Sequence, residues 1–149
     1  MNVRLRPRPD GYDERYYLRL KGFGDLAEGE DIKLCLGETV ICGRSRHCDW
    51  SLKRAAGYLK HAADERKEIR ETIAWRSISR RHCRITYIAP DMVDIENLSS
   101  NGTLVDGHQV DRLVLTDCRE RTHEITLGPH GITLALEPGA LPIEVLEDR

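Results

Sequence analysis

Ten short apolar runs, each three to six residues long, constrain this chain more than any other feature of its sequence. They span residues 16–21, 32–36, 39–42, 83–88, 92–95, 103–105, 113–115, 123–127, 132–136 and 143–146. Most alternate apolar with polar positions, which in an extended chain sends one set of side chains to a core and the other to water. Turn formers separate them: Gly37, Pro90, the pairs Asn101-Gly102 and Asp106-Gly107, and Pro129 to Gly131. Many short strands at close spacing predict an all-β sandwich or barrel. At 149 residues there is room for one such domain.

Composition excludes several other classes. Charged residues at 32% and apolar ones at 40% suit a folded, water-facing protein and neither a disordered nor a fibrous chain. No run nears the roughly 18 apolar residues of a membrane span, and residues 1–10, with three arginines and two prolines, lack the apolar core of a signal peptide. Cys35, Cys42, Cys48, Cys83 and Cys118 are an odd set without the dense spacing of a disulfide scaffold. They are expected to be reduced, which predicts a cytoplasmic location.

Residues 53–75 break the strand pattern. They contain no proline and one glycine, with Ala55, Leu59, Ala62, Ile69 and Ile73 at helical spacing. An amphipathic helix is predicted there, lying on the sheet by that face, with Lys60, Asp64, Lys67, Glu68 and Glu71 toward water.

The net charge of −2 conceals an asymmetry. Residues 43–84 hold twelve lysines and arginines against five acidic residues, a local +7 that leaves −9 for the rest. Such a block can bind an anion or can simply be a solvated face. Motifs must choose, and several are missing. The chain has no GxxxxGK[ST] phosphate loop, no HExxH and no GxSxG, and Gly22-Phe23-Gly24 lacks a third glycine. Cys42, Cys48, His47, His82 and Cys83 include zinc-type ligands, but Cys-x5-Cys is an unusual spacing and His82 and Cys83 alternate across a strand. Neither a metal nor a cofactor is expected.

Three stretches carry the chemistry of a phosphate cradle. Gly43-Arg44 follows a predicted strand and offers a planar five-donor guanidinium. Ser79-Arg80-Arg81-His82 precedes another strand and supplies a hydroxyl, backbone N–H groups and two guanidinium groups. The loop from Asn97 to Thr103 contains Ser100 and the pair Asn101-Gly102, which suits positive φ.

In this order the three stretches resemble the forkhead-associated (FHA) family, whose hallmarks are a Gly-Arg turn, a Ser-Arg-x-His segment and an Asn-Gly-Thr loop. Cys48-Asp49 followed by apolar Trp50 and Leu52, and Leu104-Val105-Asp106-Gly107, fit as well. The resemblance covers residues 16–137. It implies a β-sandwich of about eleven strands whose loops at one end bind a phosphothreonine in an extended peptide. The 34 residues between Arg44 and Ser79 exceed the usual loop and place the helical segment 53–75 as an insertion beside that end. Residues 1–15 are then expected to be a flexible tail and 138–149 a C-terminal extension.

Carried over by position, Arg44 is the main phosphate ligand, Ser79 donates its hydroxyl, and Arg80 adds a backbone N–H or its side chain. Asn101 holds the peptide main chain and Ser100 supplies a second hydroxyl. Gly43, His82, Gly102 and Thr103 support the site, with His82 a hydrogen-bonding and not a catalytic residue. Ser77 occupies the position from which some members read the third residue after the phosphothreonine.

The implied function is an adaptor that recognises a threonine-phosphorylated partner downstream of a Ser/Thr kinase, without catalysis. Three or four charge-assisted bonds at about 1.5–3 kcal/mol each can support a micromolar complex, near −8 kcal/mol once binding entropy is subtracted. Neither 1–15 nor 138–149 contains a threonine, so the ligand is expected on another chain. Two other readings stand beside this one. One is a phosphorylation-independent scaffold using the sandwich and the insert. The other is a nucleic-acid binder, disfavoured because the basic block has few aromatic stacking platforms, Tyr58 and Trp75 among them.

Overall fold

The computed structural model describes residues 11–23, 26–55, 58–60, 73–129 and 131–141. Their strands are β1 (Asp13–Phe23), β2 (Asp31–Leu36), β3 (Thr39–Gly43), β4 (Trp50–Ser51), β5 (Cys83–Ala89), β6 (Met92–Asn97), β7 (Thr103–Val105), β8 (His108–Val110), β9 (Arg112–Leu115), β10 (His123–Leu127) and β11 (Thr133–Pro138). A single 3-10 turn, Leu52–Arg54, follows β4, and a short helix, α1 (Ile73–Ser77), precedes β5. The strands form a six-stranded sheet in the order β2-β1-β11-β10-β7-β8 and a five-stranded sheet in the order β4-β3-β5-β6-β9. This two-sheet, eleven-stranded sandwich is all-β, as the alternating runs predict, and has the architecture the family resemblance implied.

Alternation in sequence becomes alternation in burial. In β5, Cys83, Ile85 and Tyr87 are fully buried while Arg84 and Thr86 are only partly so, and in β10 Ile125 and Leu127 flank the half-buried Thr126. The core between the sheets joins these to Leu18 and Leu20 of β1, Val93 and Ile95 of β6, and Leu134 and Leu136 of β11. Each such side chain contributes about 1.5–3 kcal/mol over its exposed state, which makes register strongly specified. Cross-strand partners follow it, as in Ile85 opposite Ile95 and Ile125 opposite Leu134.

Nine of the ten predicted strands are present with ends moved by no more than three residues; the tenth, 143–146, lies outside the described residues. Two strands had no sequence signal. β4 is two residues long, too short to show a period, and pairs parallel with β3 through Cys42 opposite Trp50. β8 is exposed along much of its length and is set by the turn before it. Asp106 (φ 51) and Gly107 (φ 85) both take the left-handed conformation of a type I′ hairpin turn, which matches the twist of β7 and β8. Buried His123 pins that turn, with Nδ1 2.6 Å from Asp106 Oδ2 and Nε2 2.7 Å from Asp117 Oδ1.

The predicted helix over 53–75 is corrected at both ends. Leu52–Arg54 is a 3-10 turn and Ala55 is extended (φ −64, ψ 138), so the helical phase counted from residue 53 does not carry through. Tyr58 to Lys60 are helical, and α1 continues past Trp75 to Ser77. Leu59, expected on the buried face, is 54% exposed, and Tyr58 is buried in its place. Once the extended Ala55 resets the phase, the larger tyrosine ring takes the inward position against Trp75. Residues 61–72, which hold Ala62 and Ile69 of the predicted face, lie outside the described residues. Among the described residues no helix is long and apolar enough to cross a membrane.

All five cysteines are free and buried. Burial, reinforced by the neighbouring Cys83, pushes the Cys42 thiol far above its usual range, and burial raises that of Cys118 to about 11. These thiols pack as small apolar groups.

Candidate functional site

Antiparallel pairing brings the end of β3, the start of β5 and the end of β6 to one rim of the five-stranded sheet, because Cys42 faces Cys83 and Cys83 faces Asn97. The chain after β6 then crosses to β7 in the other sheet. The three phosphate-cradle stretches sit on these connections.

The first two are laced together by backbone. Arg44 N donates to Ser79 O (3.0 Å) and Ser45 N to Arg80 O (3.1 Å). Gly43 permits this approach, since a Cβ there would lie 2.2 Å from the Arg80 carbonyl oxygen and 3.0 Å from that of Ser79. Cys48 Sγ adds a bond to the same Arg80 carbonyl (3.0 Å), and Asp49 Oδ2 accepts from Ile41 N (2.8 Å), so the Cys-Asp pair braces the first loop.

His82 joins the second stretch to the third. Its Nδ1 accepts from Ser79 N (3.0 Å), which leaves the proton on Nε2 to donate to Gly102 O (2.7 Å). The ring is fully buried, and burial lowers its pKa below the usual value despite the Gly102 carbonyl. A neutral folded imidazole and a protonatable unfolded one give a definite sign. The stability His82 contributes is complete above the unfolded pKa, near 6.5, and is lost as the pH falls from there through the folded value. We expect the stability advantage of the wild type over His82→Gln, measured by denaturant midpoints, to shrink between about pH 7.5 and about pH 5. A constant advantage would remove His82 as the source.

The third stretch is organised by Asn97. Its Oδ1 accepts from Ser99 N (3.1 Å), Ser99 Oγ (2.7 Å) and Thr103 Oγ1 (2.8 Å), while its Nδ2 donates to Ser99 O (3.0 Å). Ser99 Oγ in turn accepts from Gly102 N (2.9 Å), and Gly102 takes φ +94, a conformation suited to glycine. Thr103 is buried at the start of β7. Neither Asn97 nor Ser99 was singled out from the sequence, although Asn-x-Ser is an Asx-turn pattern that could have marked them.

What faces solvent at this rim is cationic and hydroxylic. Arg44 and Ser79 are half-buried, and Arg80, Arg81, Ser100 and Asn101 are exposed. Among the described residues the guanidinium groups of Arg44, Arg80 and Arg81 have neither a carboxylate nor a carbonyl partner. Ser100 likewise makes no hydrogen bond there. Asn101 Nδ2 donates to Arg76 O (3.3 Å) and Ser77 O (3.2 Å). Ser77 is 8% exposed, with its carbonyl and Cβ against Gly128, so its side chain has almost no surface with which to read a peptide.

The FHA domain family matches residues 40–128, more than half of the chain. The chain belongs to the FHA family. The matched span contains all three loops but leaves out β1, β2 and β11, which complete the sandwich. Among solved structures, the chain is similar to the FHA domain of CT664 from Chlamydia trachomatis, at 24% identity and a TM-score of 0.57 over 83% of this chain and 99% of that one. An FHA domain of an Arabidopsis thaliana hypothetical protein has 25% identity and a TM-score of 0.57 over 85% and 89% of the two chains. A third FHA structure, from a structural and functional analysis of phosphothreonine-dependent FHA interactions, has 21% identity and a TM-score of 0.55 over 84% and 99%. No curated protein matches the sequence.

Proposed function

We propose that this FHA domain binds a threonine-phosphorylated segment of a partner protein, as an adaptor in Ser/Thr kinase signalling that performs no chemistry on the phosphate. The observation that carries the reading is the Arg44 guanidinium, without a carboxylate or carbonyl partner among the described residues, held by its backbone beside Ser79 and linked through His82 to the loop of Ser100 and Asn101. A stacked or unpaired guanidinium presents in-plane donors that match phosphate oxygens. Family membership and a similar FHA structure from work on phosphothreonine-dependent interactions support the same ligand class.

In this reading Arg44 and Ser79 hold the phosphate with Arg80 beside them, and Asn101 and Ser100 hold the peptide main chain. Gly43, His82, Gly102 and Thr103 keep the three loops in place. The binding unit spans about residues 16–137, in a cytoplasmic protein. Guanidinium and hydroxyl donors hold the phosphomonoester through charge and shape, so the domain recognises it and leaves it intact.

A degenerate phosphothreonine peptide library is the direct test. We expect retained sequences from the phosphorylated library and none from its unphosphorylated counterpart, with phosphoserine peptides weaker for want of the γ-methyl. Equal retention of both libraries would favour the phosphorylation-independent scaffold and end this reading.

A further inference from the structure

The segment that closes the insert touches two of the three recognition loops. The guanidinium carbon of Arg44 lies over the Trp75 ring, 5.2 Å from its centroid. One and two residues on, the carbonyls of Arg76 and Ser77 accept from Asn101 Nδ2. Trp75 is 6% exposed, and the Tyr58 ring stacks on it with centroids 5.2 Å apart and planes 17° from parallel. The entry and exit of the insert are therefore pinned to each other beside the phosphate-binding arginine. Lys53 Nζ, 5.9 Å from the same centroid, adds a second cation to the indole.

The chemistry of the contact suits a ligand arginine. A guanidinium attracted to an indole through its π face keeps its N–H donors in its own plane, available to phosphate oxygens. An ion pair would occupy those donors, and none is formed among the described residues. Holding a long side chain in place beforehand also reduces the rotamer freedom lost when the ligand arrives. Asn101 is oriented by the same segment, since its amide is fixed by two backbone carbonyls.

Building on the phosphothreonine reading above, we propose that Trp75 is the positioning residue for Arg44, and that the end of α1 positions Asn101 in the same way. The described ends of the insert are then a working part of phosphopeptide recognition, coupling the phosphate ligand to Tyr58 and α1.

The test uses the full chain and the tightest phosphothreonine peptide from the library. Trp75→Leu should weaken that peptide about tenfold, the range of a desolvated cation–π contact, and Trp75→Tyr should recover most of the loss. A folded Trp75→Leu that binds as tightly as the wild type overturns the proposal while leaving the phosphothreonine reading intact. A wild type that binds no phosphopeptide overturns both. A measurement that begins with the wild type, and otherwise needs only a conservative aromatic replacement, guards against a variant that fails to fold. Titrating the peptide should change the tryptophan emission of the wild type with the same saturation as binding, and Trp75→Phe should remove the change, because the other tryptophan, Trp50, is fully buried. An emission change that survives Trp75→Phe, or none in a wild type that binds, also overturns the proposal.

Discussion

Arg44→Ala is expected to abolish useful phosphopeptide affinity while leaving the sandwich folded. The side chain is half-buried and among the described residues makes no hydrogen bond or ion pair, only the cation–π contact with the Trp75 ring, so its removal should cost the fold no more than about 2 kcal/mol. Against a phosphate dianion it supplies a pair of charge-assisted bonds, each about 1.5–3 kcal/mol, so affinity should fall more than about a hundredfold. Arg44→Lys keeps the charge and loses the fork, and should fall between the two, weaker than wild type by about tenfold. Peptide affinities beside unfolding curves separate the site from the fold. If Arg44→Ala retains the library peptides as the wild type does, the phosphate is held elsewhere.

A second large effect is expected at Gly43, where no ligand is touched. Its missing Cβ is what lets the Arg80 and Ser79 carbonyls reach the N–H groups of Ser45 and Arg44. An alanine Cβ would sit 2.2 Å from a backbone oxygen, which cannot rotate away as a side chain can. Two hydrogen bonds at about 1 kcal/mol each, together with about 1–3 kcal/mol of overpacking, put the loss of stability at about 3–5 kcal/mol. Phosphopeptide binding should be lost with it, because Arg44 and Ser79 no longer share a ladder. Gly107→Ala is the control. That residue has φ +85 but open space around the added Cβ, so only the left-handed backbone is penalised, by about 1 kcal/mol. A Gly43→Ala protein no less stable than Gly107→Ala would mean that close approach does not build this end of the domain.

Much of this molecule was legible in one dimension because its determinants are local. Alternation along each strand dictated which faces are buried, and Asp106-Gly107 and Asn101-Gly102 marked turns through their tolerance of positive φ. The three short motifs named the candidate site, and the family match spans all of them. Their union, however, depends on pairing across the sheet, which no local signal carries. The same limit applies to Asn97, whose four bonds organise a whole loop, and to β4, which exists only because β3 lies beside it.

The insert shows most clearly where local reading stops. Helical spacing from residue 53 placed Leu59 on the buried face, but the extended backbone at Ala55 breaks the phase, and Leu59 turns to solvent while Tyr58 turns in. The sequence by itself determined an all-β chain of short strands, the positions of its turns and the candidate residues for a phosphate, since these depend on neighbours two to four positions apart. The choice of a sandwich over a barrel came from the resemblance of its three motifs to a family. Only the tertiary structure decided that Trp75, 31 residues beyond Arg44, lies against that arginine, and that Asn101 is fixed by the end of α1. Contacts between segments so far apart follow from how the core closes, and a periodicity along the chain has no means of encoding them.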